Sequence, residues 1–195
     1  MALFNESQLR QRATSYKQSD ARLAAKSYDQ ILQESRQAIP LGTEFDIFLS
    51  HSFSDAELVL GLMVELMRSG YKVYVDWVID SQLDRSSVSK ETADLLRKRM
   101  KDSKSLFYAS TENTERSKWM PWETGYFDAK KELVAIVPIA RGSSSDKYEG
   151  VEYLGLYPYV TGVVGADRSW LYIHEDEKTW VRFDDWLKGQ KPKKH

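Results

Sequence analysis

Blocks of mostly apolar residues alternate with amphipathic segments through the middle of the chain. The apolar runs lie at 44–50, 71–77, 104–110 and 133–139, and the intervening segments carry apolar residues at helical spacing. Short apolar runs that precede helices are typical of strands buried on both faces of a parallel sheet. The pattern therefore predicts an α/β fold with a parallel sheet and helices on both of its faces.

Local signals bound the first strand–helix–strand unit. Ser54 and Glu57 match the Ser-x-x-Glu capping box at the start of a helix. The apolar run Leu58 to Met67 forms that helix, and Gly70 is placed to end it. The short connections predict the right-handed crossover of α/β folds.

The two ends of the chain differ from the middle. Residues 1–42 are predicted as a helical extension with a break at Ser19-Asp20, and this extension packs on the domain or self-associates. Residues 43–190 form the main domain, with a fifth strand at 153–160, in which Pro158 favours an edge position, then one short strand and a terminal helix. The basic residues 191–195 are predicted to be a disordered tail.

Composition narrows the class of protein. The formal net charge of −1 argues against a general nucleic-acid binder or a membrane-surface protein. The chain has no cysteine and three scattered histidines, which disfavours a metal centre. It contains neither a signal-peptide core nor an apolar run of about 18 residues, so we expect a soluble, cytoplasmic protein.

The stretch around Glu123 is the candidate site. Ser117 can cap a helix whose first turn tolerates Pro121, and Glu123 then lies near the positive end of the helix dipole. A carboxylate among aromatic residues suits a pocket that stacks a flat base and stabilises a developing positive charge. The alternative is a solvated glutamate on a helix whose aromatic residues fill the core.

The predicted sheet places this helix beside the ends of three strands. These strands end at Ser50-His51, Asp76-Trp77 and Ser110. In wound parallel sheets, ligands bind at the carboxyl ends of strands, near the point where the strand order reverses. We therefore expect Glu123 to lie at that crevice.

Two motifs resemble those of TIR (Toll/interleukin-1 receptor) domains. Phe45 to His51, followed by Asp55, is similar to the first TIR signature, and S-x-W-M-x-x-E at 117–123 is similar to the Ser-x-Trp-Cys-x-x-Glu signature of TIR domains that cleave NAD⁺. The resemblance covers about residues 43–165. It implies a flavodoxin-like fold of about five parallel strands and NAD⁺ glycohydrolase or ADP-ribosyl cyclase activity. It also implies a bacterial role in antiphage defence, as in Thoeris-type systems.

The resemblance also implies roles for individual residues. Glu123 is the expected catalytic residue, with NAD⁺ as substrate and no cofactor. The expected substrate-binding residues are Ser50, His51, Phe53, Asp76, Trp77 and Trp119. Surface exposure is the alternative for His51, and core packing is the alternative for Trp77 and Trp119. Expected partners are further copies of the chain, through the TIR domain and the N-terminal helices, and a downstream effector that reads the nucleotide signal.

The chain departs from the family pattern at three points. Met120 replaces the usual Cys, which conserves a soft apolar side chain. The loop at 78–87, which corresponds to the mobile BB loop of the family, lacks Gly and Pro. No Gly-rich phosphate cradle is present, so Arg85 and helix N-termini are the candidates for holding a pyrophosphate.

Two other functions compete with the NAD⁺-cleaving reading. A non-catalytic TIR module would assemble partners through its surfaces and its N-terminal helices, and its assembly would survive replacement of Glu123. A nucleoside-processing α/β enzyme, such as a deoxyribosyltransferase, would act on free nucleosides. Nicotinamide release from NAD⁺ separates the enzyme from the module, and a panel of nucleosides separates the two enzymes.

Overall fold

The computed structural model describes residues 2–37, 39–40, 42–75, 90–114, 117, 119–142, 148, 152–163 and 169–195. The predictions for Asp76, Trp77 and Arg85 and for the loop at 78–87 lie outside these residues. None of the helices in the described part of the chain has the length and apolar character needed to cross a bilayer.

Strands and helices alternate in the middle of the chain, from β2 to β5. The strands are β1 (Phe4–Asn5), β2 (Phe45–Ser50), β3 (Val73–Val75), β4 (Ser103–Ser110), β5 (Val134–Ala140), β6 (Tyr159–Val163), β7 (Trp170–His174), β8 (Thr179–Arg182) and β9 (Lys193–Lys194). The helices are α1 (Glu6–Gln18), α2 (Ala21–Ala24), α3 (Tyr28–Gln37), α4 (Ala56–Arg68), α5 (Lys90–Lys101), α6 (Trp119–Lys131) and α7 (Phe183–Trp186). Short 3₁₀ turns lie at Phe53–Asp55 and Glu152–Leu156.

The parallel part of the sheet has the order of a flavodoxin-like fold. Strands β3, β2, β4, β5 and β6 lie side by side in that order, and each adjacent pair is parallel. Numbered along the chain, these strands follow the order 2-1-3-4-5, which reverses between β2 and β4. The predicted fold class is confirmed, and the switch point lies at the carboxyl ends of β2 and β4.

The C-terminal part of the sheet differs from the prediction. Residues Glu152–Leu156 form a 3₁₀ turn, and the strand that follows is Tyr159–Val163, so the strand predicted at 153–160 was placed too early. The edge position predicted from Pro158 was also wrong. Pro158 precedes β6, which pairs with β5 on one side and with β7 on the other, and its carbonyl accepts a hydrogen bond from the Ile136 amide at 2.8 Å.

Antiparallel strands complete the sheet beyond β6. Strands β7 and β8 pair antiparallel, and β9 adds to β8 through Lys193 and Lys194. The chain end, predicted to be a disordered tail, thus forms an edge strand, and the His195 ring stacks on Trp180 with the two ring centroids 3.7 Å apart. One short strand and a terminal helix were predicted ahead of the chain end. The structure instead has two strands, β7 and β8, and the single helical turn α7 before β9.

The start of α4 differs from the predicted capping box. Ser54 lies inside a 3₁₀ turn, and the helix begins after Asp55 without a capping hydrogen bond from that side chain. The Asp55 carboxylate instead accepts hydrogen bonds from Thr111 Oγ1 at 2.6 Å and Asn113 Nδ2 at 2.7 Å. The predicted capping box of Ser54 and Glu57 was therefore wrong, because Ser54 lies within the 3₁₀ turn and the Glu57 carboxylate pairs with the Arg10 guanidinium.

The N-terminal segment packs within its own chain. The helix break predicted at Ser19-Asp20 is confirmed, since α1 ends at Gln18 and the Asp20 carboxylate accepts from the Arg22 amide at 2.8 Å to cap α2. Helices α1 and α3 pack on α4 and bury Leu9, Ala13, Ile31 and Leu32. Ahead of them, β1 pairs with the end of β5, a strand that the sequence analysis did not predict.

Candidate active site

Helix α6 begins as the sequence predicts and directs Glu123 towards the sheet. The Ser117 hydroxyl accepts a hydrogen bond from the Met120 amide at 3.3 Å and so caps the helix. Pro121 lies in the first turn, where its missing N–H costs little. Side chains of a helix lean towards its N-terminus. Glu123, one turn into α6, can therefore reach the strand ends below.

Glu123 is buried and bonded to the end of β2. Its side chain is 4% exposed, and Glu123 Oε2 accepts a hydrogen bond from Ser50 Oγ at 2.5 Å. A hydroxyl–oxygen distance this short is typical of a hydroxyl that donates to a carboxylate. Ser50 is the last residue of β2, at the switch point of the sheet. The structure thus places this carboxylate against the strand ends and not in bulk solvent.

Tyr108 lies beside this pair. It is the register partner of Ser50 across β2 and β4, and register partners in adjacent strands direct their side chains to the same face. Tyr108 is 2% exposed. Burial raises the pKa of its phenol, and the hydrogen bond to Tyr153 and the negative charge of Glu123 raise it further. The phenol therefore stays neutral and keeps its proton.

Further tyrosines lie on the C-terminal segments that cover the α6 side of the sheet. Burial is the main cause of the raised Tyr108 pKa, and Tyr153 and Tyr148 contribute to it. Tyr148 is half-buried, and its ring lies 5.6 Å from that of Tyr159, centroid to centroid. Sequence analysis did not identify these tyrosines. Only Tyr108 could have been identified from the sequence, because it lies near the carboxyl end of the predicted third strand, on the edge of the sheet where a ligand was expected.

The residues predicted to bind substrate contact different parts of the molecule. His51 follows Ser50 directly, and its Nδ1 lies 3.3 Å from the Ser52 carbonyl oxygen. Phe53 packs against the core on the α1 and α4 side of the sheet, opposite the face that carries Glu123. The structure therefore brings Ser50 to Glu123, and the substrate contacts predicted for His51 and Phe53 stay predictions.

Trp119 belongs to an aromatic group on α6. It is half-buried, and its ring meets that of Trp122 edge-on with the centroids 5.4 Å apart. Trp122 stacks on Tyr126, and the Arg97 guanidinium lies over the Trp122 ring. Trp119 also packs against the core beneath α6. These contacts fit the core-packing reading of Trp119, and they leave its predicted role in shaping the pocket as a prediction.

The arrangement can stabilise a positive charge next to hydrogen-bond donors. A buried carboxylate lies among neutral hydroxyls, in surroundings where electrostatic interactions are stronger than in water. The described residues contain no group of three or more His, Asp or Glu side chains that could hold a metal ion.

We expect Ser50→Ala to lower the activity of the site about tenfold or more, because it removes a donor to a charged acceptor. Steady-state rates with NAD⁺ measure the effect. Ser105→Ala is the matched control, since Ser105 is equally buried and donates to the Asp46 carbonyl at 2.7 Å, away from Glu123. Equal rates for the two variants would contradict a role for the Ser50 hydroxyl.

Sequence comparison supplies independent evidence. No protein-family model matches the chain. Over 159 residues the chain is 51% identical to the probable 3′ cyclic ADP-D-ribose synthase ThsB′ of Bacillus cereus (strain MSX-D12), and the match covers 80% of this chain and 82% of that protein. Over 83 residues it is 32% identical to the putative cyclic ADP-D-ribose synthase TIR2 of Cytobacillus dafuensis, covering 42% of this chain and 22% of that protein.

The strand order of the sheet and the identity to the first relative indicate the same family. The sheet has the flavodoxin-like order that the two TIR motifs imply, and the identity extends over most of both proteins. The chain therefore belongs to the Thoeris-type family of bacterial TIR-domain proteins.

Proposed function

We propose that the chain is an NAD⁺-cleaving enzyme that produces nicotinamide and a cyclic ADP-ribose. The reaction breaks the bond between the nicotinamide nitrogen and the anomeric carbon of the adjacent ribose. The names of both relatives describe cyclic ADP-D-ribose synthesis, and the first specifies the 3′ cyclic product. By this likeness we expect the same product here, with linear ADP-ribose as the product when water intercepts the reaction.

The observation that carries the proposal is the buried Glu123 carboxylate at the switch point of the sheet, held by Ser50. Nicotinamide leaves from a cationic ring, so the reaction needs no strong nucleophile. It needs a group that stabilises the oxocarbenium-like charge on the ribose as the bond breaks, as in glycoside cleavage. A fixed carboxylate stabilises that charge more in the transition state than in the bound substrate.

The proposed reaction is balanced without a cofactor. The electrons of the broken bond remain on the nicotinamide nitrogen, which neutralises the pyridinium charge. An internal nucleophile of the ADP-ribose moiety then bonds to the anomeric carbon and releases one proton. If water attacks instead, linear ADP-ribose forms. The ratio of the two products therefore depends on how well the site excludes water.

The remaining parts of the proposal concern partners and context. We place the reaction in the cytoplasm, in antiphage defence, with a downstream effector that reads the nucleotide signal. Self-association through the TIR domain and the N-terminal helices stays part of the proposal. Since α1 and α3 bury their apolar residues on α4, contacts between copies would use the polar faces of these helices.

Product analysis of the purified protein tests this function. The protein is incubated with NAD⁺, and the products are identified by liquid chromatography and mass spectrometry against cyclic and linear standards. Lysates of phage-infected and uninfected cells are analysed in parallel, and added lysate supplies any activating factor. We expect nicotinamide and a cyclic ADP-ribose in equal amounts. If nicotinamide is absent under all of these conditions, the chain is not an NAD⁺-cleaving enzyme.

A further inference from the structure

A buried carboxylate joins the two loops at the switch point of the sheet. Asp55, in the connection between β2 and α4, is 7% exposed, and its amide donates to the Ser52 carbonyl at 3.2 Å. Its Oδ2 accepts a hydrogen bond from Thr111 Oγ1 at 2.6 Å, and its Oδ1 accepts one from Asn113 Nδ2 at 2.7 Å. Both donors belong to the loop after β4. Asp55 therefore holds the β4 loop to the β2 loop through both of its carboxylate oxygens.

Further hydrogen bonds lead from this contact to helix α6. The Thr111 amide donates to Thr114 Oγ1 at 2.7 Å, and the Thr114 amide donates to the Thr111 carbonyl at 3.2 Å. The Ser117 amide then donates to the Thr114 carbonyl at 3.0 Å. The Ser117 hydroxyl in turn caps α6 at the Met120 amide. A continuous series of hydrogen-bonded residues therefore connects Asp55 with the first turn of α6.

The Asp55 contact lies on the face of the sheet opposite to Glu123. Asp55 and Thr111 border a small cavity together with Leu58 of α4, on the side where α1 and α4 pack. Helix α6, which carries Glu123, packs on the other face. Ser50 attaches Glu123 itself to the end of β2. Helix α6 is thus attached to the β2 side at two places, at its first turn through the Asp55 contact and one turn later through Ser50.

Burial distinguishes Asp55 from the other charged contact of this loop. Glu112 pairs with the Arg141 guanidinium, and both of these side chains are 63% exposed. Exposed ion pairs contribute little, because water screens them and two long side chains must be ordered. Hydrogen bonds to a buried carboxylate are stronger, and their loss leaves buried donors without an acceptor. Of the two contacts, Asp55 is therefore the one that fixes the loop.

We propose that Asp55 is a positioning residue for Glu123: it holds the β4 loop and the first turn of α6 so that the Glu123 carboxylate lies beside the anomeric carbon of the bound NAD⁺ ribose. This inference rests on the proposed function, because that function gives Glu123 its role. A catalytic group displaced by about 1 Å can lose about 100-fold in rate. Since the carboxylate acts in the transition state, its displacement lowers kcat and leaves KM nearly unchanged.

Graded variants of Asp55 test its role. Asp55→Ala removes both acceptors and is expected to lower kcat about 10- to 100-fold, with KM within about threefold of the wild type. Asp55→Asn can still accept from Asn113 and donate to Thr111 Oγ1, so it should recover most of that loss and stay within about fivefold of the wild-type kcat. Glu112→Gln is the matched control, since it removes a carboxylate from the same loop, and its kcat should stay within about twofold of the wild type.

Thr111 provides a second test of the same contact where Asp55→Ala does not fold. Thr111→Val keeps the shape of the side chain and removes the hydroxyl that donates to Asp55, so kcat should fall about fivefold. Thr111→Ser keeps the hydroxyl and should restore kcat. Circular dichroism checks that all variants are folded.

A double-mutant cycle separates positioning of Glu123 from a general structural role. In the Glu123→Gln background, Asp55→Ala should change the residual kcat less than about twofold, because the charge whose position it sets is already gone. A variant that disturbs the whole site would lower kcat by the same factor in both backgrounds. Nicotinamide release in long incubations measures these low rates.

Hydrogen-exchange mass spectrometry gives a readout that does not depend on catalysis. Asp55→Ala should speed exchange in the peptide that spans residues 111–123 about tenfold or more, while peptides from β5 keep their wild-type rates. If the wild type cleaves NAD⁺ and Asp55→Ala changes neither kcat nor this exchange, the inference alone is overturned. Equal losses of kcat in the two backgrounds of the cycle would also overturn it. Faster exchange in Asp55→Ala without any cleavage by the wild type would support the attachment of the loop and overturn the proposed function. If neither cleavage nor faster exchange is seen, both proposals fail.

Discussion

Glu123→Gln is expected to reduce nicotinamide release from NAD⁺ by about 100- to 1000-fold. Glutamine has nearly the same shape and can still accept the hydrogen bond from Ser50, but it carries no negative charge to stabilise the ribose cation. The loss should appear in kcat and in kcat/KM alike, since the charge acts in the transition state. Initial rates of nicotinamide formation, measured by chromatography at saturating and at limiting NAD⁺, provide the test.

Asp128→Asn is the matched control for this variant. Asp128 lies on the same helix and accepts a hydrogen bond from the Tyr157 hydroxyl, so the change also removes one carboxylate charge from α6. We expect its rate to stay within about twofold of the wild type. If the Glu123→Gln variant is folded and releases nicotinamide from NAD⁺ at most of the wild-type rate, the reaction does not depend on this carboxylate.

The sequence predicted those parts of the fold that depend on short-range pattern. Strands β2, β4 and β5 were found because they are continuous apolar runs bounded by polar residues. The start of α6 was found because Ser117 and Pro121 have strong positional preferences in the first turn of a helix. The switch point then followed from the alternation of strands and helices, and with it the position of Glu123.

The features that sequence reasoning missed depend on contacts between distant segments. Residues Glu152–Leu156 lie within or beside the predicted fifth strand but form a 3₁₀ turn. Ser54 and Glu57 match a capping box, but the helix begins after Asp55, whose carboxylate accepts hydrogen bonds from Thr111 and Asn113 across more than 50 residues of chain. Long-range hydrogen bonds of this kind leave no periodic signal, so only the folded chain reveals them.

The N-terminal segment illustrates the same limit. Its amphipathic pattern indicated helices but not the surface on which they pack. The structure supplies that surface at Gly61 of α4, where α1 approaches so closely that an added Cβ would lie 2.0 Å from the carbonyl oxygen of Leu9. Because this neighbour is backbone, it cannot rotate away as a side chain would. The glycine is therefore what allows the two helices to pack at this distance.

Gly61→Ala is accordingly expected to lower the free energy of unfolding by about 2 to 3 kcal/mol, because α1 must move away from α4 and the packing around Leu9 loosens. Gly125→Ala is the control. Gly125 is also inside a helix, but apart from its chain neighbours and its own helix backbone no atom of the described residues lies within 4 Å of its added Cβ, so the change should stabilise the protein by about 0.5 to 1 kcal/mol. Urea unfolding followed by circular dichroism gives both values. A Gly61→Ala variant as stable as Gly125→Ala would show that α1 does not pack on α4 at this distance.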